Sequence, residues 1–197
     1  MLSEENYRIM KEKYGLVGSW AVWRPAGKTP KSNTHDMSWV NDDDLLQIIN
    51  TGFVFVGLNW SSTHGDQNEG GALNWVNFHS GYSYQNDYKL RYALQGTRYW
   101  GSYITDIIKL YAEVDSGKVK EYLREHPDVV RKNINDFVEE ISILGEYPVL
   151  VALGSYTYDI LNSYLGKKYR IAKIKHYSYS ISKENYRKEL LETLERF

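Results

Sequence analysis

The sequence contains no cysteine. Disulfides, thiol catalysis, iron–sulfur clusters and cysteine-ligated zinc are thereby excluded. No run of about 18 apolar residues is present, so the sequence predicts no transmembrane helix, and its first residues lack the basic-then-apolar pattern of a secretory signal. It has no His-Glu-x-x-His motif, P-loop or Gly-x-Ser-x-Gly elbow, and its 5 histidines are too scattered to predict a metal site. We therefore expect a cytoplasmic protein that needs no metal or cofactor.

An excess of charge of either sign is also missing. The chain has 24 Lys and Arg against 25 Asp and Glu, for a formal net charge of -1, whereas a domain that binds nucleic acid through bulk electrostatics is usually plainly basic. Positive charge is concentrated in residues 166–176, GKKYRIAKIKH, which include no acid. This run favours phosphate contacts, with Lys173 and Lys175 as candidates, although a solvated charged face explains it almost as well.

Apolar runs that alternate with helical patterns predict the fold. Four runs have strand character: Phe53–Val56, Tyr99–Thr105, Val149–Leu153 and Tyr169–Ile174. The helical patterns cover about Glu4–Lys13 with Ser3 as cap, a segment capped by Asn41, Asp128–Leu144, Ser155–Leu165 and Lys183–Arg196. Strands alternating with helices are typical of βαβ units. We therefore predict a single α/β domain over residues 1–197, a three-layer αβα sandwich around a mainly parallel sheet of about four strands.

Polar residues follow each of the predicted strands. In an open parallel sheet, ligands bind at the carboxyl ends of the strands. The segments found there are Gly57-Leu58-Asn59-Trp60, Thr105-Asp106, Gly154-Ser155 and His176-Tyr177-Ser178. Asn, Asp and His side chains are therefore expected to gather at one edge of the sheet.

These segments resemble, in order and spacing, the motifs of the uracil-DNA glycosylase superfamily. Gly57-Leu58-Asn59 is similar to its first motif, which reads Gly-Ile-Asn-Pro-Gly in mismatch-specific branches, and Tyr103–Lys109 is similar to its second strand. Val149–Gly154 resembles the third strand, closed by Leu-Gly, and His176-Tyr177-Ser178 resembles the closing His-Pro-Ser motif. The ordered set spans residues 53–178, about two thirds of the chain.

The chain departs from the family pattern at three places. Trp60 and Ser61 stand where Pro and Gly are usual, and Tyr177 replaces the proline of the last motif. Asp106 stands where an amide commonly reads the base. An ionised carboxylate only accepts hydrogen bonds, so Asp106 predicts poor activity on uracil.

The resemblance implies a DNA glycosylase-like hydrolase that acts in DNA repair on a modified or mismatched base, without a cofactor. It implies that the Asn59 carbonyl orients the attacking water and that His176 donates a hydrogen bond to the leaving base. From the residues alone, Asn59 could instead close a strand-to-loop bend and His176 could be an ordinary loop histidine. The substrate-binding residues implied by the motifs are Gly57, Asp106 and Ser178.

Aromatic residues near the first motif could supply a stacking surface for the base. The chain is 15% aromatic, with 18 Tyr, 6 Trp and 5 Phe, and base–aromatic stacking contributes roughly 1–3 kcal/mol. Trp60 and Phe78 are our candidates. For each ring, burial in the core is the alternative role.

The rival to an enzyme is a non-catalytic module that keeps the fold and binds a nucleotide or nucleic acid. The near-neutral charge and the replaced motif residues favour the module, whereas the retained Asn and His favour the enzyme. The positions of Asn59 and His176 discriminate between them. Side chains facing one cleft would favour catalysis, and burial of either against a helix would favour the module.

Overall fold

The computed structural model describes residues 2–59, 74–82, 85–109, 111, 113, 115–145 and 147–197. Within these ranges a sheet of five strands forms the centre: β1 (Gly18–Trp20), β2 (Asn50–Asn59), β3 (Ser102–Ile108), β4 (Val149–Leu153) and β5 (Ile171–Ile174). The strand order is β1-β3-β2-β4-β5. All pairs are parallel except β1 with β3, which is antiparallel.

Helices cover both faces of the sheet. They are α1 (Glu4–Tyr14), α2 (Leu45–Ile48), α3 (Asp87–Leu94), α4 (Ser116–Glu125), α5 (Pro127–Ser142), α6 (Ser155–Leu165) and α7 (Lys183–Leu194). Successive strand residues point to opposite faces, so Val54 and Val56 pack with apolar residues of α5 and α6, whereas Phe55 packs with those of α3 and α7. The predicted three-layer αβα class is confirmed, with five strands where about four were expected.

The predicted strand runs all form strands, with shifted ends. The second begins at Ser102 rather than Tyr99, because residues 97–101 form a turn that ends at Gly101 with φ 78°. A Cβ at Gly101 would collide with the Ile48 carbonyl oxygen, so only glycine fits this reversal. The strand β1 was not predicted, because its three residues are too few to show alternation.

One of the two predicted helix caps near the N-terminus is confirmed and the other is wrong. Ser3 caps α1 as expected, with its Oγ accepting from the Asn6 backbone N–H at 3.1 Å. The prediction that Asn41 caps a helix is wrong, since Asn41 ends a 3-10 helix (Ser38–Asn41) and α2 begins only after Asp44. The helices α3 and α4 were not predicted. None of the helices in the described part of the chain is long and apolar enough to cross a membrane.

Candidate functional site

The carboxyl ends of β2 and β5 lie at the same level of the sheet. Val56 pairs with Ala152 of β4, which in turn pairs with Lys173 of β5. Asn59 and His176 each lie three residues beyond this row, on either side of β4. A strand spacing of about 4.8 Å separates their backbones by about 10 Å. The fold therefore brings the two residues to one edge of the sheet.

His176 is an uncharged hydrogen-bond donor at this edge. Its Nδ1 accepts from the Ser178 backbone N–H at 3.2 Å and lies 2.7 Å from Ser178 Oγ. A backbone N–H can only donate, so the proton of the neutral ring is on Nε2. Burial lowers the pKa of His176 to about 4, which keeps the ring neutral at physiological pH. Ser178 thus contacts the imidazole and sets its tautomer.

The Asn59 carboxamide is fixed by backbone carbonyl groups. Its Nδ2 donates to Glu113 O at 2.7 Å and lies 3.5 Å from Tyr111 O. Both carbonyls follow β3, which flanks β2 on the side opposite β4. The amide nitrogen is therefore bonded to the segment that links β3 to α4. These bonds tie the end of β2 to the segment after β3, and they also hold the carboxamide in one orientation.

Three of the residues implied at the substrate site meet at the edge of β2 and β3. Gly57 pairs with Asp106, and a Cβ at Gly57 would collide with Asp106 Oδ1 and lie 3.6 Å from Phe78 Cε1. A side chain at position 57 would therefore force the Asp106 carboxyl to move. Phe78 has φ 66° and Trp75 has φ 71°, a left-handed backbone that bulky residues rarely adopt and that clusters at functional sites. Trp60, the other stacking candidate, lies outside the described residues.

Asp106 is buried in an environment that disfavours its charge. Its side chain is 4% exposed, and its Oδ2 accepts from Asn77 Nδ2 at 3.2 Å. Burial raises the pKa of Asp106 to about 6, although the Asn77 hydrogen bond and the positive charge of Lys109 act in the opposite direction. The contact between Asn77 and Asp106 was not predicted, because only the tertiary fold brings these two residues together.

A buried ion pair lies next to Asp106 on the opposite face of the sheet. Lys109 Nζ lies 2.6 Å from Glu140 Oε2 and donates to the Asp106 carbonyl oxygen at 2.6 Å. Glu140 Oε1 accepts from the Tyr103 hydroxyl at 2.7 Å and from Thr105 Oγ1 at 2.8 Å. The network fastens the end of β3 to α5. A carboxylate on the apolar stripe of α5 was the signal that could have revealed it.

The two lysines predicted to contact phosphate lie beside different helices. Lys173 Nζ lies 5.2 Å from the Tyr158 ring of α6. Lys175 Nζ instead pairs with Glu189 of α7 at 2.8 Å. Their contact with phosphate stays a prediction.

Comparison of the chain with protein-family models, with curated proteins and with solved structures finds no match. No group of three or more His, Asp or Glu side chains that could hold a metal occurs among the described residues.

The pH dependence of stability provides a test of the Asp106 environment. A carboxyl whose folded pKa is about 6, against about 3.8 when unfolded, favours folding while protonated and loses that contribution as pH rises through 6. Relative to Asp106→Asn, the wild type should therefore lose about 2–3 kcal/mol of unfolding free energy between pH 4 and pH 7. Urea denaturation at several pH values measures this difference. Asp43→Asn, at an exposed carboxylate, is the matched control, and a pH-independent difference for Asp106→Asn would contradict the expectation.

Proposed function

We propose that the protein is a DNA glycosylase-like hydrolase that cleaves the N-glycosidic bond of a modified or mismatched base. His176 supports the proposal most directly. Its Nδ1 is occupied by Ser178, and its proton is on Nε2, at the edge of the sheet where ligands of parallel α/β folds bind. As the C1′–N bond breaks, its electrons leave with the base, and a fixed neutral donor stabilises the negative charge that develops there.

The attacking water needs an acceptor to orient it toward the sugar. Asn59 is too weakly basic to take its proton, but a carboxamide oxygen has two lone pairs and can accept a hydrogen bond from water. The Asn59–Glu113 bond fixes the carboxamide before substrate arrives. Orientation of this kind lowers a barrier by several kcal/mol. Water would add to C1′ from the β2 side while His176 acts on the base from the β5 side, and the proton that the added water loses to solvent is balanced by the proton that the departing base anion takes up.

Base release from oligonucleotides tests the proposal. Labelled strands that carry uracil, hypoxanthine, xanthine or a mismatch would be incubated with the protein and then cleaved at abasic sites. We expect strand breaks for at least one base, which would support a role in DNA repair. Intact strands with every substrate would contradict the proposal.

The Asp106 carboxyl predicts a pH-dependent preference among bases. When ionised it presents an acceptor to the acceptor O4 of uracil, a mismatch that costs roughly 1–3 kcal/mol. We therefore expect slow uracil release by the wild type at pH 8, and release faster by roughly 5- to 100-fold in Asp106→Asn. Because the pKa of Asp106 is about 6, the wild-type rate should rise as pH falls from 8 to 5.5, whereas Asp106→Asn should lack this rise.

Parallel pH–rate profiles of the two proteins on uracil-containing single strands provide the measurement. Asp43→Asn is again the control, since its carboxylate is exposed. Fast uracil release by the wild type at pH 8, with no improvement in Asp106→Asn, would show that Asp106 does not discriminate between bases.

A non-catalytic nucleotide-binding module is the second candidate. One observation favours it: the Asn59 amide nitrogen already donates to the Glu113 carbonyl oxygen, so this polar group is held by the protein itself. A module would bind the same oligonucleotides without releasing any base. Fluorescence anisotropy measured alongside the cleavage assay separates the two functions.

A further inference from the structure

The loop that carries His176 is held by two buried side chains of α3. The Asp87 carboxyl interacts with the Tyr177 hydroxyl, and Lys89 Nζ donates to the Tyr179 carbonyl oxygen at 2.9 Å. Asp87 is 4% exposed and Lys89 is 7% exposed. The two contacts fall one and three residues after His176, so α3 fixes the loop at two points.

Burial of Asp87 and Lys89 is not needed to pack α3. The apolar residues Leu90, Ala93 and Leu94 already attach this helix to the core that α7 and the sheet share. Burying a carboxylate or an ammonium group is unfavourable unless hydrogen bonds compensate for the lost hydration. Here those bonds go to the His176 loop and, for Asp87, to the Ser80 backbone N–H at 2.8 Å. Buried polar contacts of this kind specify a position more than they add stability.

Tyr177 transmits this restraint to the imidazole. The uracil-DNA glycosylase motif that this segment resembles has proline at this position, and the proline ring restricts the backbone. Tyr177 lacks that restriction, but its hydroxyl is anchored by Asp87 and its ring stacks on the His176 ring, with centroids 4.3 Å apart. The side-chain anchor therefore takes the place of the proline ring.

We propose that Asp87 and Lys89 are positioning residues that hold the His176 imidazole in place through Tyr177 and the Tyr179 carbonyl group. Asp87, Asp106 and Tyr186 are the titratable groups that act on Tyr177. Burial raises the pKa of Asp87 to about 6, against the effect of its hydrogen bonds from Ser80 and Tyr177. At pH 7.5 the Asp87 carboxylate is ionised, so a hydrogen bond that the Tyr177 hydroxyl donates to it is charge-assisted.

The titration of His176, followed by NMR, tests the restraint without any assay of activity. In the wild type, partial burial of the ring lowers the pKa of His176 to about 4. Release of the loop should expose the ring and move its pKa toward about 6.5 in Tyr177→Phe, Asp87→Ala and Lys89→Met. Asp87→Asn keeps an acceptor for the Tyr177 hydroxyl and should stay close to the wild type. The His176 signal is assigned by its loss in His176→Gln.

Tyr179→Ala is the matched control, because it keeps the carbonyl group that Lys89 binds. Its side chain is exposed, so the titration of His176 should be that of the wild type. Tyr177→Phe removes a single hydroxyl and keeps the measurement possible if Asp87→Ala does not fold. An unchanged His176 pKa in folded Tyr177→Phe would overturn the proposal.

Kinetics provide a second measurement that depends on the proposed function. If base release is observed, Asp87→Ala should lower kcat by roughly 10- to 100-fold while KM changes little, because a displaced donor still allows binding. Asp87→Asn should restore most of kcat. If no base is released, the kinetic measurement contradicts the proposed function. The NMR titration then still shows whether α3 positions His176.

Discussion

Replacing His176 by alanine should slow base release by roughly 100- to 1,000-fold, the usual effect of removing one donor aimed at a developing negative charge. The imidazole is neutral and its Nδ1 is held by Ser178, so the donor is oriented before the reaction begins. Melting temperature should change little, because the side chain is only partly buried and its hydrogen bonds are local. Single-turnover kinetics on the best substrate, together with thermal denaturation, measure both quantities.

Two variants sharpen the interpretation of His176→Ala. Ser178→Ala removes the hydroxyl but leaves the backbone N–H that selects the tautomer, so its rate should fall by less than 10-fold. His126→Ala, at an exposed histidine between α4 and α5, should retain wild-type activity. Equal rates for His176→Ala and an active wild type would remove His176 from the mechanism, whatever the fold.

The strands that carry the site could be predicted because each is a short apolar run between helices. Phe53–Val56 and Val149–Leu153 lie within β2 and β4, where burial on both faces requires continuous hydrophobic sequence. The parallel connections then place Asn59 and His176 at one edge without any knowledge of side-chain contacts. Local chemistry also predicted the start of α1, because the Ser3 cap depends only on residues within one turn.

The contacts that define the site could not be predicted in the same way. Asp87 and Tyr177 are 90 residues apart in sequence, and neither belongs to a periodic pattern that would indicate a contact. The Asn41 prediction failed for a related reason. The adjacent Asp42 is bound by Arg24, at 2.6 and 2.8 Å, and 3-10 geometry replaces the expected helix start. Pairing between distant polar groups is a tertiary property, and single-sequence patterns report local preferences.

Glu140→Ala should be the most destabilising substitution at the edge of the site, by roughly 3–5 kcal/mol. Glu140 is 0% exposed, and its loss leaves the Lys109 ammonium, which is 14% exposed, without a counter-charge. The hydroxyls of Tyr103 and Thr105 lose their acceptor at the same time. For a chain of this length we expect a fall in melting temperature on the order of 10 °C. Urea denaturation would give the free energy of unfolding.

Two further substitutions show whether the destabilisation by Glu140→Ala comes from the lost contacts with Lys109, Tyr103 and Thr105 or from a change in α5 itself. Glu139→Ala, one residue away and exposed, should change stability by no more than about 0.5 kcal/mol. Glu140→Gln keeps an acceptor for the two hydroxyls but no charge for Lys109, so its effect should be intermediate. Stability equal to that of Glu139→Ala would show that water replaces Glu140 at no cost. A large loss would mean that the β3 backbone beneath Asp106 depends on a charge on the opposite face of the sheet, because Lys109 bonds both Glu140 and the Asp106 carbonyl group.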